Sequence, residues 1–148
     1  MPKQVLKWDD SMPAKPRVMI AAQPAASLAL REMLGEAVDV VPVHTMYQAL
    51  KTLETTPAAI TLIICTVAFD DSRMLDFLYA IKAEANTKAI PFICCRVLPT
   101  VLSGDSFVRL AEVCRLGGAA EFINIPPLLE GTAATVLKAA VMKHIATR

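Results

Sequence analysis

Five short apolar runs, rich in β-branched residues, recur along the chain. They span residues 17–22, 38–43, 60–66, 90–95 and 120–125. Near-continuous apolar runs of this length are typical of strands that are buried on both faces of a parallel sheet. The pattern therefore predicts five buried strands.

Longer segments with helical periodicity lie between and after these strands. They span residues 24–34, 45–57, 72–85, 105–117 and 131–146. Thr45 and Gln48 form a capping-box pattern at the start of the second segment. Gly117 and Gly118 follow the fourth segment, where glycine allows the left-handed turn that ends many helices. We therefore predict five helices that alternate with the strands.

This alternation predicts an α/β fold, a (βα)5 three-layer sandwich with right-handed crossovers. The flavodoxin-like strand order 2-1-3-4-5 is the natural candidate for its parallel sheet. Pro42 supports this order. A proline disrupts a central strand but is tolerated in an edge strand, and the second strand lies at the edge in this order.

The chain divides into an N-terminal leader, residues 1–16, and one domain, residues 17–148. A length of 148 residues suits a single compact domain. The leader has mixed charge and carries three prolines, and we expect Trp8, together with Val5 and Leu6, to anchor it.

Composition and charge exclude several classes of protein. With 55% hydrophobic and 20% charged residues, the chain is not disordered. A net charge of +1 does not indicate the strongly basic surface that is typical of nucleic-acid-binding proteins. No run approaches the roughly 18 apolar residues of a membrane span, and the N-terminus does not resemble a secretory signal. We therefore expect a cytoplasmic protein that binds neither nucleic acid nor membrane.

The four cysteines, Cys65, Cys94, Cys95 and Cys114, lie inside apolar runs, without the CxxC spacing of a zinc site. We expect them to be small buried hydrophobes. Cys65 and Cys95 precede the ends of two strands that are predicted to be neighbours, so we expect their side chains to share one face, with Cys94 pointing the other way. A redox pair is the alternative, although burial makes thiols inert.

The sequence contains no recognisable set of catalytic groups. His44 and His144 are the two histidines, and neither lies beside a Ser or Cys nucleophile in the sequence. We find neither a P-loop nor a GxGxxG motif. We therefore expect no enzyme activity, no catalytic residue, no cofactor and no metal site.

Three segments together resemble the receiver domain of two-component response regulators. Residues 61–82 match the third strand, loop and helix of receivers without a gap, and residues 90–95 match the fourth strand. Residues 117–126 resemble the Gly-Ala-x-x-Tyr-Leu-x-Lys-Pro run that ends the fifth strand. The resemblance covers residues 17 to about 146 and implies a role in phosphorelay signalling.

The resemblance also implies that the phosphorylation site is degenerate. Receivers use an acidic pair, an acceptor Asp, a Thr or Ser, and a Lys at the strand ends to hold Mg²⁺ and to stabilise the transferring phosphoryl group. The matching residues here are Ala21, Ala22, Thr66, Arg96 and Ile125, and only Pro126, which follows the last of them, agrees with the family. We therefore expect that Mg²⁺ binding and aspartyl phosphorylation fail.

Thr66 and Arg96 leave two interpretations open. A hydroxyl and a guanidinium at the carboxyl ends of adjacent strands could bind an anion, in a small-molecule or anion sensor that uses this cleft. Alternatively, Arg96 fills the vacated pocket and pairs with Asp70 or Asp71, which we favour because buried arginines usually find a carboxylate. We expect Asp70 and Asp71 to cap the following helix rather than to form a relocated metal site.

The fourth predicted helix has more apolar surface than packing on a sheet requires. Its apolar residues leave only Arg109, Glu112 and Arg115 as a narrow polar stripe. A helix on one sheet face needs one apolar stripe, so the surplus predicts contact with another chain. Loops or the leader could cover it instead. The candidate interface residues are Phe107, Val108, Arg109, Leu110, Val113 and Phe122.

The predicted function follows from these observations. We expect a stand-alone, atypical receiver-like protein that acts in signal transduction through protein–protein interaction, without aspartyl phosphorylation. In receivers the fourth helix, fifth strand and fifth helix form a partner face. The resemblance therefore implies a signalling protein as partner and a homodimer through that face.

Overall fold

The computed structural model describes residues 15–55, 59–98, 104–126, 128 and 130–146. Five parallel strands form one sheet in the order β2-β1-β3-β4-β5. They are β1 (Arg17–Ala21), β2 (Asp39–Val43), β3 (Leu62–Thr66), β4 (Phe92–Arg96) and β5 (Glu121–Asn124). The predicted fold class and strand order are confirmed, and β2, which contains Pro42, is an edge strand.

In the described part of the chain, five right-handed helices connect and follow the strands. They are α1 (Pro24–Leu34), α2 (Met46–Thr55), α3 (Met74–Ala83), α4 (Gly104–Leu116) and α5 (Glu130–Ala146). A single left-handed turn, Phe69–Ser72, precedes α3. Asp70, Asp71 and Ser72 have φ angles of 46°, 57° and 64°, and this is why α3 begins later than the predicted residue 72.

The helices cover both faces of the sheet, which confirms the three predicted layers. On one face, α1 and α5 pack against alternate strand residues such as Ile20, Ile64 and Ile93. On the other, α2, α3 and α4 pack against the residues between them, such as Ile63 and Phe92. Each layer of helices therefore encloses its own apolar core, as alternation along buried strands requires.

Side chains from two segments hold the start of α2. The hydroxyl of Thr45 accepts a hydrogen bond from the amide of Gln48 at 3.1 Å, as the capping-box pattern predicts. The carboxylate of Asp70 accepts another from the amide of Met46 at 2.8 Å. The expectation that Asp70 caps the following helix is therefore wrong, because the left-handed turn directs its carboxylate to α2.

The end of α4 packs closely on α3 through two glycines. A Cβ atom on Gly117 would lie 2.8 Å from Cε1 of Tyr79, and Gly118 has a φ of +107°. The stem of Lys82 contacts Gly118, and its ammonium donates hydrogen bonds to the carbonyls of Lys88 and Ile90. A side chain at residue 117 would therefore require the Tyr79 and Leu78 side chains, or α4, to shift.

The proposed anchor of the leader, Trp8 with Val5 and Leu6, lies outside the described residues. At residue 16, where the predicted leader ends, the carbonyl of Pro16 accepts a hydrogen bond from the amide of Asp39 at 2.8 Å. None of the helices in the described part of the chain is long and apolar enough to cross a membrane.

Candidate binding site at the carboxyl end of the sheet

Six residues match the phosphorylation site of receivers, and we call them the rim: Ala21, Ala22, Thr66, Arg96, Ile125 and Pro126. They separate into a packed group and a cavity-lining group. Ala21 and Ala22 are fully buried, in the cores on opposite faces of the sheet, and Ile125 belongs to the core beneath α1 and α5. Pro126 is half-buried after β5. The four therefore complete the packing at the rim. Thr66 and Arg96 form the cavity-lining group.

The backbone after β1 is fixed by β2 and His44. The amide of Ala22 donates a hydrogen bond to the carbonyl of Val43 at 3.1 Å. Nδ1 of His44 donates to the carbonyl of Ala22 at 2.8 Å. His44 therefore ties the end of β1 to the segment after β2.

Thr66 and Arg96 line one cavity of about 150 Å³ at the ends of β3 and β4. The rest of its described wall is Gln23, Ala26, Val67, Ala68, Val97 and Leu98. The residue Thr66 is 3% exposed, and its Oγ1 atom has no hydrogen-bond partner among the described residues. A buried hydroxyl without a partner is unusual, and this oxygen atom is itself inaccessible to solvent.

Arg96 contacts a polar and an aromatic side chain. Its Nη1 donates a hydrogen bond to Oδ1 of Asn124 at 3.1 Å, and its Cζ atom lies 4.5 Å from the centre of the Phe107 ring. The sequence predicts Asp70 or Asp71 as the partner of Arg96, whereas the carboxylate of Asp70 accepts a hydrogen bond from the amide of Met46 at the start of α2. Asn124 was not identified from the sequence, although it faces Arg96 in the register of β4 and β5.

The cysteine geometry differs from the prediction by one residue of register. Cys65 is opposite Cys94, whereas Cys95 is opposite Thr66. Cys65, Cys94 and Cys114 therefore lie in the core beneath α2, α3 and α4, and Cys95 lies in the core on the other face. The expectation that Cys65 and Cys95 share a face is wrong, which removes the basis for that redox pair.

All four thiols are buried, as expected. Burial raises the pKa of Cys65 well above its usual value and raises the pKa of Cys95 to about 12. A hydrogen bond that the Cys94 thiol donates to Cys114, together with burial, raises the pKa of Cys94. The thiols of Cys65, Cys94 and Cys95 are therefore protonated at neutral pH and unreactive. The same hydrogen bond from Cys94 lowers the pKa of Cys114.

The candidate interface residues on α4 and β5 divide into exposed and packed side chains. Val108 and Leu116 are each 71% exposed and Val113 is 38% exposed, and these three form what we call the α4 face. Leu110 and Phe122 pack against the core, and the ring of Phe107 contacts Arg96. Arg109 is exposed.

A shallow groove of about 380 Å³ runs between α4 and β5 beside the α4 face. Arg115 and Glu112 form an ion pair on its helical side at 2.5 Å. Glu121 lies on its strand side and contacts Nε2 of His144 at 2.6 Å, so His144 joins α5 to β5. Within the described ranges, no group of three or more His, Cys, Asp or Glu side chains could hold a metal ion.

The fold is similar to that of several solved receiver domains. The phosphorylated cyanobacterial phytochrome response regulator RcpA matches with a TM-score of 0.70 and 15% identity, over 91% of this chain and 97% of that chain. The receiver domain of a histidine kinase from Syntrophus aciditrophicus matches with a TM-score of 0.68 and 22% identity, over 89% of this chain and 91% of that chain.

A response regulator from Thermotoga maritima matches with a TM-score of 0.67 and 18% identity, over 89% of this chain and 98% of that chain. The sequence matches no family model and no curated protein. At these identities the likeness establishes the fold, and this chain has the fold of a response-regulator receiver domain.

Proposed function

We propose that this protein is a receiver-like signalling protein that works without aspartyl phosphorylation. One observation carries the proposal. The rim positions that match the carboxylates of receivers are Ala21, Ala22 and Thr66, and all three are buried. A threonine hydroxyl cannot form the acyl phosphate that receivers use, and Ile125 stands where they have lysine.

These residues do not fit a magnesium ion. Mg²⁺ requires oxygen ligands, usually including one or two carboxylates. Ala21 and Ala22 have no side-chain oxygen, and Thr66 supplies a single hydroxyl. Asp70, in the turn after β3, already accepts a hydrogen bond from the amide of Met46. We therefore propose that the conformation of the rim does not depend on a metal or on phosphoryl transfer.

Incubation with Mg²⁺ and a phosphoryl donor tests this proposal. We expect that acetyl phosphate adds no phosphoryl group to the intact mass, and that beryllium fluoride causes no saturable shift of Tm. A receiver with the complete acidic set, treated in parallel, verifies that the reagents are active. A saturable effect of either reagent on this protein would overturn the proposal.

We propose that the protein signals through contacts made by α4, β5 and α5. Support comes from the α4 face, whose Val108 and Leu116 side chains are each 71% exposed. Exposed apolar clusters with a polar rim are typical of interaction sites. The groove beside this face lies between α4 and β5, so an occupant would contact both elements.

The occupant that we propose is a second copy of this chain. Arg109, Glu112 and Arg115 on α4 and Glu121 on β5 place both signs of charge around the apolar side chains. A two-fold interface brings the same patch together from both copies, so a patch with both signs can complement itself. A different signalling protein is the alternative occupant.

Light scattering of Val108→Glu tests this interface. We expect the native chain to dimerise and the variant to be monomeric, because the carboxylate would lose its hydration in the interface. Leu28→Glu is the matched control, since Leu28 is 56% exposed on α1 and lies away from α4. A monomeric native chain, or equal loss of dimer in both variants, would contradict the proposed interface.

The proposed role is non-catalytic and cytoplasmic. The described cysteines, Cys65, Cys94, Cys95 and Cys114, are free thiols. Free thiols suit a reducing compartment. The net charge of +1 supports a protein partner rather than nucleic acid.

A second candidate function is that of a small-molecule sensor. The cavity of about 150 Å³ that Thr66 and Arg96 line at the ends of β3 and β4 favours it. A ligand bound in this cavity would stabilise the protein through mass action. Ligand binding would then replace phosphorylation as the input at the same edge of the sheet.

A further inference from the structure

We propose that the N-terminal leader binds in a groove between α1 and β2 of its own chain, with Trp8 as the anchor. The sequence predicts that Trp8 anchors the leader but does not indicate which surface it contacts. The place at which the leader joins the sheet, its reach, and the lining of the groove support this assignment. The contact goes beyond the proposed function, because it involves neither a partner protein nor a ligand.

The groove lies beside the edge strand β2 and has a volume of about 380 Å³. We call it the α1–β2 groove, and its wall includes Leu28, Arg31, Glu32, Gly35, Asp39 and Val40. Leu28 is 56% exposed, and Val40 is half-buried against the core beneath α1. A Cβ atom on Gly35 would meet open space. The groove therefore offers both room and apolar surface to a large side chain.

The leader joins the sheet at one wall of this groove. The carbonyl of Pro16, the last residue of the leader, accepts a hydrogen bond from the amide of Asp39 at 2.8 Å. Asp39 is also a residue of the groove wall. Because β1 begins at Arg17, the chain before Pro16 leaves the sheet directly beside the α1–β2 groove.

The leader is long enough to place Trp8 in the groove. Pro16 follows Trp8 by eight residues, and an extended chain spans at most about 27 Å over this length. Leu28 and Gly35 are seven residues apart along α1 and its end, a rise of about 10 Å. The α4 face, in contrast, lies at β5, which is three strands or about 14 Å from β1 across the sheet. The α1–β2 groove is therefore the nearer of the two surfaces.

The chemistry of the groove wall suits the residues around Trp8. Tryptophan combines a large apolar area with a single N–H donor. The carboxylates of Glu32 and Asp39 are acceptors on the groove wall. Two aspartates follow Trp8 at residues 9–10, and the wall also carries the exposed cation of Arg31. The wall therefore supplies a partner for the indole N–H and an opposite charge for the aspartates.

A second groove, between α2 and α3, fits the leader less well. Its described wall includes Leu50, Glu54 and Glu84 and contains no lysine or arginine. These two carboxylates would repel the aspartates at residues 9–10. Charge therefore favours the α1–β2 groove over this one.

Fluorescence of Trp8 tests the proposal, because the chain has a single tryptophan. We expect the emission of the native protein to lie at shorter wavelength than that of N-acetyltryptophanamide in water. Quenching by acrylamide should be several-fold weaker than for this free amide. Leu28→Glu places a carboxylate where the indole would bury it, which is unfavourable. We expect the variant to keep the circular dichroism of the native protein and to shift emission and quenching toward those of the free amide.

Leu50→Glu and Val108→Glu are the matched controls. Leu50 is 37% exposed in the groove between α2 and α3, and Val108 is 71% exposed on the α4 face. We expect both variants to keep the Trp8 fluorescence of the native protein. A shift in either control without one in Leu28→Glu would overturn the proposal and place the leader on the surface of that control.

The remaining outcomes concern the native protein alone. Emission and quenching equal to those of the free amide would show that Trp8 lies in water and would overturn the proposal. We expect the emission to be independent of protein concentration, because the contact is within one chain. A shift to longer wavelength on dilution would overturn that contact and indicate that the leader binds a second copy. The expected results leave the α4 face uncovered by the leader, so that it remains available to a partner.

Discussion

Replacing Thr66 by valine should stabilise this protein, although the residue is 3% exposed and lies at the end of a central strand. Most substitutions of buried residues destabilise a protein. Here the group removed is a hydroxyl without a hydrogen-bond partner among the described residues. Valine has nearly the same shape and is well suited to a strand.

The expected size of the gain follows from the cost of burying the hydroxyl. A polar group that leaves water without forming a hydrogen bond costs about 1–3 kcal/mol. Because valine occupies nearly the same space and leaves no buried polar atom, we expect a gain of about 1–2 kcal/mol in the free energy of unfolding. For a domain of this length, this corresponds to a rise in Tm of about 2–8 °C.

Thr87→Val is the matched control for this prediction. Thr87 is also buried, but its hydroxyl donates a hydrogen bond to the carbonyl of Ile81 at 2.8 Å. The same chemical change should lower stability there by about 1–3 kcal/mol, because the buried carbonyl loses its hydroxyl donor. Urea unfolding of the native protein and both variants measures the two effects.

We therefore expect the two substitutions to change the free energy of unfolding in opposite directions. If Thr66→Val destabilises the protein as Thr87→Val does, the Thr66 hydroxyl has a partner in solution. An ordered water in the cavity would be one such partner. The assignment of this hydroxyl as an unsatisfied buried group would then fail.

Three further predictions follow from the packing. Gly117→Ala should cost about 1–3 kcal/mol because its Cβ would lie 2.8 Å from Tyr79, whereas Gly131→Ala, with open space around it, should be neutral or stabilising. Asp70→Ala should cost about 0.5–2 kcal/mol by removing the acceptor at the start of α2, and Asp70→Asn should restore part of this loss; urea unfolding measures all four variants. Burial raises the pKa of Cys95 to about 12 from an ordinary 9.0, so the folded state keeps a proton that the unfolded state loses. Thermal unfolding should therefore show stability decreasing as the pH rises from about 9 to about 12, and a constant Tm over this range would contradict that pKa.

The strand order was predictable because the apolar runs and the position of Pro42 constrain the sheet. Strands that are buried on both faces are apolar throughout, and this made them easy to identify. Because the strands are apolar throughout, the sequence does not specify how they are aligned with one another. Residues 62–65 and 92–95 contain no charged or hydroxyl side chain that would distinguish the two faces, so they do not indicate that Cys65 is opposite Cys94 rather than Cys95.

The rim was predictable in composition but only partly in geometry. The absence of carboxylates at Ala21, Ala22 and Thr66 is visible in the sequence. The contact between Arg96 and Asn124 depends on how β4 and β5 are aligned, and a single sequence does not specify that alignment. The hydrogen bond from α2 to Asp70 likewise depends on the left-handed turn. Asp70, Asp71 and Ser72 form this turn, and because none of them is glycine the sequence does not predict positive φ angles there.

The late position of α5 in the chain has a consequence for biosynthesis. Leu137 and Val141 of this helix are completely buried in the core that α1 also covers. A nascent chain that has produced all five strands still lacks the helix that covers this part of the core. This core cannot be completed until α5 emerges from the ribosome. A ribosome stalled before residue 130 should therefore hold a nascent domain that recruits chaperones.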